Sequence, residues 1–264
     1  MLGKLIKHEF RATGRLMAPL FGALLLLAVF SRVANQILQQ VPNPTRVLYI
    51  VSVLLAIVYV LAGLGVMVFS TVLMIKRFHQ NFLTDEGYLM FTLPVSIHKL
   101  LWSKLLVSSV WFLAAFAVDA LALGIVLFEN VSFASIPAFF KDVQDILKSQ
   151  YGFDAVAFVL EYLALMFVSL LAACLDFYAP IAVGHSFANH KTLLSVVFFF
   201  VFNTVWQILG LFGIAGVLAA ESSADDVLRF IHTGMLSGIS SVAFMGAVMY
   251  VITWLMLKKR LNLQ

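Results

Sequence analysis

Six long apolar stretches constrain this chain more than any other feature of its sequence. Each is long enough to cross about 30 Å of hydrocarbon as a helix, which takes roughly 20 residues. The chain is 62% hydrophobic and 11% charged, whereas a soluble domain of 264 residues needs more polar side chains to cover its surface. Lipid offers no partners to backbone N–H and C=O groups, so each span must be helical. The sequence therefore predicts an all-α integral membrane protein with spans at 16–38, 47–75, 100–128, 155–184, 192–220 and 231–257.

The basic residues indicate how these spans are oriented. Most of the 17 Lys and Arg residues lie before span 1, between spans 2 and 3, in the turn before span 5, and after span 6. Cytoplasmic segments of membrane proteins are enriched in Lys and Arg, so both termini are predicted to be cytoplasmic. The net charge of +4 then reflects membrane orientation rather than nucleic-acid binding. The basic residues left for the outer side are Arg32, Arg46, Lys141, Lys148 and Arg229.

The N-terminal segment, residues 1–15, has an amphipathic pattern. Leu2, Leu5, Ile6 and Phe10 recur at helical spacing, and basic residues occupy another face. This pattern predicts an interfacial helix on the inner leaflet, separate from span 1. Simple anchoring of the first span and seating beside a partner both explain it, and the second is favoured. The basic stretch is also longer than the n-region of a signal peptide, so the apolar run that follows is interpreted as a retained span.

Two further segments are predicted outside the cytoplasm. The loop between spans 3 and 4 carries an apolar stripe and a polar face, which predicts a surface helix capped by Ser132 or Ser135, with Pro137 in its first turn. Span 5 is long enough to overshoot the hydrocarbon, and Gly210, Gly213 and Gly216 lie in its outer half. Tilt of one continuous helix and a re-entrant outer segment both accommodate that length.

The segment between spans 2 and 3 is too apolar for an idle cytoplasmic loop. Thr84 is placed to cap a short helix, Asp85 and Glu86 suit its first turn, and Pro94 follows its end. That helix carries Tyr88, Leu89 and Phe91, which need apolar surroundings. Packing beneath the spans is one explanation, and a docking surface for a cytosolic protein is the other.

The motif of this segment resembles a known family. Residues 85–96 read Asp-Glu-Gly-Tyr-Leu-Met-Phe-Thr-Leu-Pro-Val-Ser, and residues 99–105 read Lys-Leu-Leu-Trp-Ser-Lys-Leu. Together they resemble the coupling region of permease subunits of the type-2 ABC exporter family. The first eleven residues are also similar to that family's N-terminal connecting helix.

The resemblance implies a single permease domain over residues 1–264 that works as a homodimer or heterodimer. It implies that a separate cytosolic ATPase binds ATP and Mg and drives export of an amphipathic peptide, lipid or drug across a bacterial plasma membrane. The residues assigned to ATPase coupling are Thr84, Asp85, Glu86, Gly87, Tyr88, Leu89, Phe91 and Pro94.

The chain lacks a Gly-x-x-x-x-Gly-Lys-Ser/Thr phosphate loop, which is consistent with ATP hydrolysis by a partner. An intramembrane enzyme is disfavoured because the sequence has no His-Glu-x-x-His helix. We therefore expect a transport subunit that is not an enzyme and holds no cofactor or metal of its own. His185 and His190 flank a short turn before span 5, and two histidines without a third ligand indicate a polar turn rather than a metal site.

Polar residues within the spans are the candidates for a transport route. Asp119, Glu161 and Asp176 lie inside apolar runs, where charges are costly. Asn203 and Gln207 are one helical turn apart in span 5 and are suited to an interhelical hydrogen bond. Structural roles are favoured over lining a route. The alternative function is an ion-coupled secondary transporter in which the three acids carry protons.

Overall fold

The computed structural model describes residues 2–92, 94–127, 135–151, 155–187, 189–220 and 227–259. Within these ranges the chain forms α-helices and no β-strand. The helices are α1 (Leu2–Gln40), α2 (Arg46–Leu83), α3 (Asp85–Thr92), α4 (Ile97–Leu127), α5 (Ser135–Tyr151), α6 (Ala155–Gly184), α7 (Lys191–Ala220) and α8 (Val227–Lys259).

Six of the described helices, α1, α2, α4, α6, α7 and α8, are long and apolar enough to cross a membrane. Each contains most of one predicted span. The prediction of six membrane-length helices is confirmed. It could be made from the sequence because the thickness of a bilayer sets both the length and the apolar composition of a spanning helix. The predicted orientation of the two ends stays a prediction.

The first helix differs from expectation at its N-terminus. It runs without a break from Leu2 to Gln40, so the predicted boundary between an interfacial helix and span 1 is wrong. The helix continues through Gly14 and Pro19, and the Thr13 hydroxyl donates to the Glu9 carbonyl within it at 2.7 Å. The Thr13 hydroxyl also accepts a hydrogen bond from Trp111 Nε1 of α4 at 2.7 Å. Seating of residues 1–15 on the inner leaflet stays a prediction.

Helix α7 remains continuous through Gly210, Gly213 and Gly216. The break considered for its outer half is therefore not formed, and tilt is the remaining way to fit its length to the hydrocarbon. The predicted surface helix between spans 3 and 4 corresponds to α5, with Pro137 in its first turn. The alternative cap, Ser132, lies outside the described residues.

Contacts divide the chain into two compact units. The first comprises Met1–Lys76 and Leu106–Val131, so it contains most of α1, α2 and α4. Its core lies where small residues let these helices approach: Ala28 of α1, Ala115 and Ala122 of α4 are fully buried, with Leu24 and Val66 beside them. Close approach through small residues is the usual way that helices associate in lipid.

The second unit comprises Arg77–Leu105 and Ser132–Gln264. It therefore contains the C-terminal end of α2, the first turns of α4, and helices α3, α5, α6, α7 and α8. Within it, α6 packs against α7 and α8. The predicted coupling residues all fall in this unit, and it is described by itself below.

Candidate functional site

Helix α3 is set off from α2 by one residue, Thr84. The Thr84 hydroxyl donates to the Gln80 carbonyl of α2 at 2.6 Å, and the Thr84 carbonyl accepts the Gly87 N–H at 2.7 Å. The side chain predicted to cap α3 therefore bonds back to the last turn of α2, because a threonine hydroxyl reaches the carbonyl four residues earlier. Pro94 lies two residues after the last residue of α3, and Asp85 and Glu86 occupy its first turn, as predicted.

One side of α3 is held by an aromatic stack. The Phe91 ring lies 6.0 Å from the ring of Phe82, which lies 5.2 Å from the ring of Phe78. The Phe78 ring in turn stacks on Tyr178 of α6, with centroids 4.0 Å apart and planes at 9°. Phe78, Phe82 and Tyr178 are buried, as is Gly87 of α3. This stack links α3 to α6 through the end of α2.

The other side of α3 is open. Tyr88 is 56% exposed and Leu89 is 73% exposed, although both are large apolar side chains. Asp85 and Glu86 beside them are exposed, and so are Thr92 and Pro94. The predicted coupling residues within α3 thus divide in two. Gly87 and Phe91 anchor the helix, and Asp85, Glu86, Tyr88 and Leu89 form a surface, which we call the α3 surface.

Two histidines also join the end of α2 to the end of α6, next to this row of rings in the sequence. The Nε2 atoms of His79 on α2 and His185, just after α6, are 3.1 Å apart. His185 Nδ1 lies 2.9 Å from the Ile181 carbonyl, which only accepts hydrogen bonds, so Nδ1 carries the proton. Neutral His185 then presents a bare Nε2 that accepts the Nε2–H of His79. In this arrangement one proton is shared between the two Nε2 atoms, so at least one of the two histidines is uncharged at Nε2.

The sequence had paired His185 with His190 instead. His190 is exposed and begins the turn into α7 with a φ of 56°. Among the described residues, no group of three or more His, Cys, Asp and Glu side chains is placed to hold a metal ion. The sequence did not reveal His79 as the partner of His185, because the two residues are 106 positions apart.

We expect the stability of the protein to fall below about pH 6.5. Burial lowers the pKa of His185, a shift that the hydrogen bond to Ile181 opposes and the neighbouring His79 and Lys191 reinforce. The folded state therefore binds this proton less readily than the unfolded state, so stability is complete above the unfolded pKa of 6.5 and decreases as the pH falls below it. The slope is at most about 1.4 kcal/mol per pH unit.

Thermal unfolding midpoints in detergent between pH 5 and 8 measure this dependence. His185→Gln should flatten the profile, and His190→Gln, an exchange at an exposed histidine, should leave it unchanged. An unaltered profile in His185→Gln would contradict the assignment.

The polar residues of the spans form separate pairs rather than one cluster. Asn203 of α7 donates to Asp176 Oδ2 of α6 at 3.1 Å and to the Phe199 carbonyl at 3.0 Å. The predicted interhelical hydrogen bond of Asn203 is therefore present, whereas Gln207 is exposed. The second carboxylate oxygen of Asp176 is buried, and none of the described residues donates to it.

Glu161 has a partner that the sequence did not indicate. Its Oε2 lies 2.9 Å from His232 Nδ1 of α8, and both side chains keep part of their surface exposed. The third acid, Asp119, belongs to the first unit, where its Oδ1 would lie 3.3 Å from a Cβ added at Gly63. Asp176 therefore pairs with Asn203, and Glu161 pairs with His232. The two pairs lie at different positions along α6.

Comparisons with known proteins returned no match: no family model fits the sequence, and no curated protein and no solved structure is significantly similar to it.

Proposed function

We propose that this chain is the membrane-spanning permease subunit of an ATP-driven ABC exporter. The observation that carries the proposal is the α3 surface, in which Tyr88 and Leu89 are exposed on a helix whose opposite side is fixed by Phe91. Exposed apolar patches rimmed by polar residues mark interaction sites on proteins. Asp85 and Glu86 supply that rim and a negative charge.

The attachment of α3 suits the transmission of force. Phe91, Phe82, Phe78 and Tyr178 form a continuous row of aromatic rings from α3 to α6. Protein interiors are close-packed and deform little, so displacement of α3 moves the helix ends packed on it. In this proposal the α3 surface receives a cytosolic ATPase, and nucleotide-driven closure of two ATPases rocks the spanning helices of a permease homodimer or heterodimer.

The remaining assignments follow from the same proposal. Six crossings put both ends on one side, and the distribution of Lys and Arg favours the cytoplasm for that side. The bacterial plasma membrane is the location that the family resemblance implies. ATP and Mg are bound by the ATPase, since this chain carries no phosphate loop. The apolar helix surfaces suit an amphipathic peptide, lipid or drug as cargo.

A secondary transporter is the second candidate, and Asp176 is the observation that favours it. A buried carboxylate oxygen to which none of the described residues donates is costly to keep in an apolar helix. Proton-coupled carriers use such groups. In this alternative Asp176 and the Glu161–His232 pair bind and release protons during transport.

Affinity purification of the chain from membranes in mild detergent tests the proposal. We expect a protein that contains a phosphate-loop sequence to co-purify in near-stoichiometric amount, and transport in proteoliposomes to require it together with ATP. Export by the purified chain alone would refute the proposal. Flux that collapses with the proton gradient, without any ATPase, would support the secondary transporter.

A further inference from the structure

Four rings cluster where α4 begins and α8 ends, within the second unit. The imidazole of His98 stacks on Trp254, with centroids 5.0 Å apart and planes at 20°, and its Nδ1 lies 2.7 Å from the Tyr250 hydroxyl. Trp102 completes the group, with its ring 5.8 Å from that of Tyr250. We call His98, Trp102, Tyr250 and Trp254 the aromatic platform.

The platform has a basic rim. Lys258 Nζ lies 4.8 Å from the centre of the Trp254 ring, a cation–π distance that holds the ammonium at the edge of the platform. Lys99, Lys258 and Lys259 are exposed, and so is His98. Helix α8 contains no Asp or Glu, and α4 contains none before Asp119. The elements that build the platform therefore do not neutralise these charges.

Both features match the interface of a bilayer rather than its interior or bulk water. Trp and Tyr rings concentrate at the depth of the lipid headgroups, and Lys side chains extend from helix ends to reach phosphates. Here the rings belong to the ends of two membrane-length helices, as that depth requires.

We propose that this end of α4 and α8 is a binding site for the headgroup of an anionic phospholipid. Lys99, Lys258 and Lys259 bind the phosphate, and the aromatic platform packs against the glycerol and the first carbons of the acyl chains. The proposal goes beyond transport: it requires only that α4 and α8 span the bilayer, and it would stand if the chain exported nothing.

Native mass spectrometry of the purified full chain tests it, with phosphatidylglycerol and phosphatidylcholine of identical acyl chains as probes. We expect phosphatidylglycerol to bind about 100-fold more tightly, because each of the three lysines contributes about 1 kcal/mol. Each exchange among Lys99→Gln, Lys258→Gln and Lys259→Gln should weaken its binding about fivefold. Phosphatidylcholine binding should change less, because the choline ammonium of that lipid already offsets the charge of its phosphate. Lys141→Gln and Lys148→Gln on α5 are the matched control and should preserve the preference.

Two further measurements keep the result unambiguous. Trp254→Leu removes the ring under Lys258 and should weaken phosphatidylglycerol binding while the protein stays monodisperse. Glycerol phosphate at millimolar concentration separates a lipid site from a site for free phosphate, and it should not displace the lipid. Equal binding of the two lipids, a preference that survives all three lysine exchanges, or displacement by glycerol phosphate would overturn the proposal.

Discussion

Replacing Tyr88 and Leu89 together by alanine is expected to reduce ATP-driven export at least tenfold while the chain still folds and inserts. Both side chains are largely exposed, so their truncation removes little packing within the chain. In the proposed complex they are the apolar centre of the contact with the ATPase. Central aromatic and aliphatic anchors commonly contribute about 2 kcal/mol or more to association, which is a loss of roughly 30-fold in affinity.

The chain offers a matched control for this variant. Tyr162 and Leu163 are an adjacent pair of the same two residue types on α6, and they are 56% and 47% exposed. Their double replacement by alanine changes composition equally but does not touch α3. ATP hydrolysis, export and co-purification of the ATPase are measured for both variants in proteoliposomes.

Glu86→Ala extends the same test to charge. It should uncouple hydrolysis from export, because the exposed carboxylate lies at the edge of the apolar pair. Gly87 is buried, so a substitution there would alter the seating of α3 rather than its surface. Normal coupled export by the Tyr88→Ala, Leu89→Ala variant would reject α3 as the docking helix.

Gly184→Ala is expected to destabilise the protein by about 3 kcal/mol, the upper end of the usual cost of overpacking. A Cβ at residue 184 would lie 2.5 Å from the backbone nitrogen of Ser195 and 2.7 Å from its Cα, and it would also overlap the Ser195 hydroxyl. Backbone atoms cannot rotate away as a side-chain end can. Either α7 moves away from the end of α6, or the pair fails to assemble.

Gly210→Ala is the control for this substitution. Among the described residues, no atom lies within 4 Å of a Cβ placed there, and alanine is about 1 kcal/mol better than glycine inside a helix. We expect the unfolding midpoint in detergent to fall sharply for Gly184→Ala and to stay level or rise for Gly210→Ala. Equal midpoints for the two variants would show that α6 and α7 are farther apart at this point than described.

The positions of the spanning helices were predictable because the bilayer imposes a length and a composition that any short stretch of sequence reveals. The short helix α3 was predictable for a similar local reason. Acidic residues at its start and Pro94 after its end are signals within a few residues of the structure they predict. The continuity of α1 was not predictable, since a change from amphipathic to apolar pattern does not show whether a helix bends there.

The sequence by itself thus determined which segments form helices of membrane-spanning length, and it identified the α3 segment, Asp176 and Asn203 as features of interest. Only the tertiary structure decided their partners. His79 meets His185 across 106 positions, Glu161 meets His232 across 71, and Asp176 meets Asn203 across 27. Helical spacing specifies neighbours one turn away, whereas contacts between helices depend on which faces pack together and at what height. The division of α3 into an anchored side and an exposed side has the same origin, because the Phe91 ring lies 6.0 Å from the buried Phe82 ring whereas Leu89 is 73% exposed.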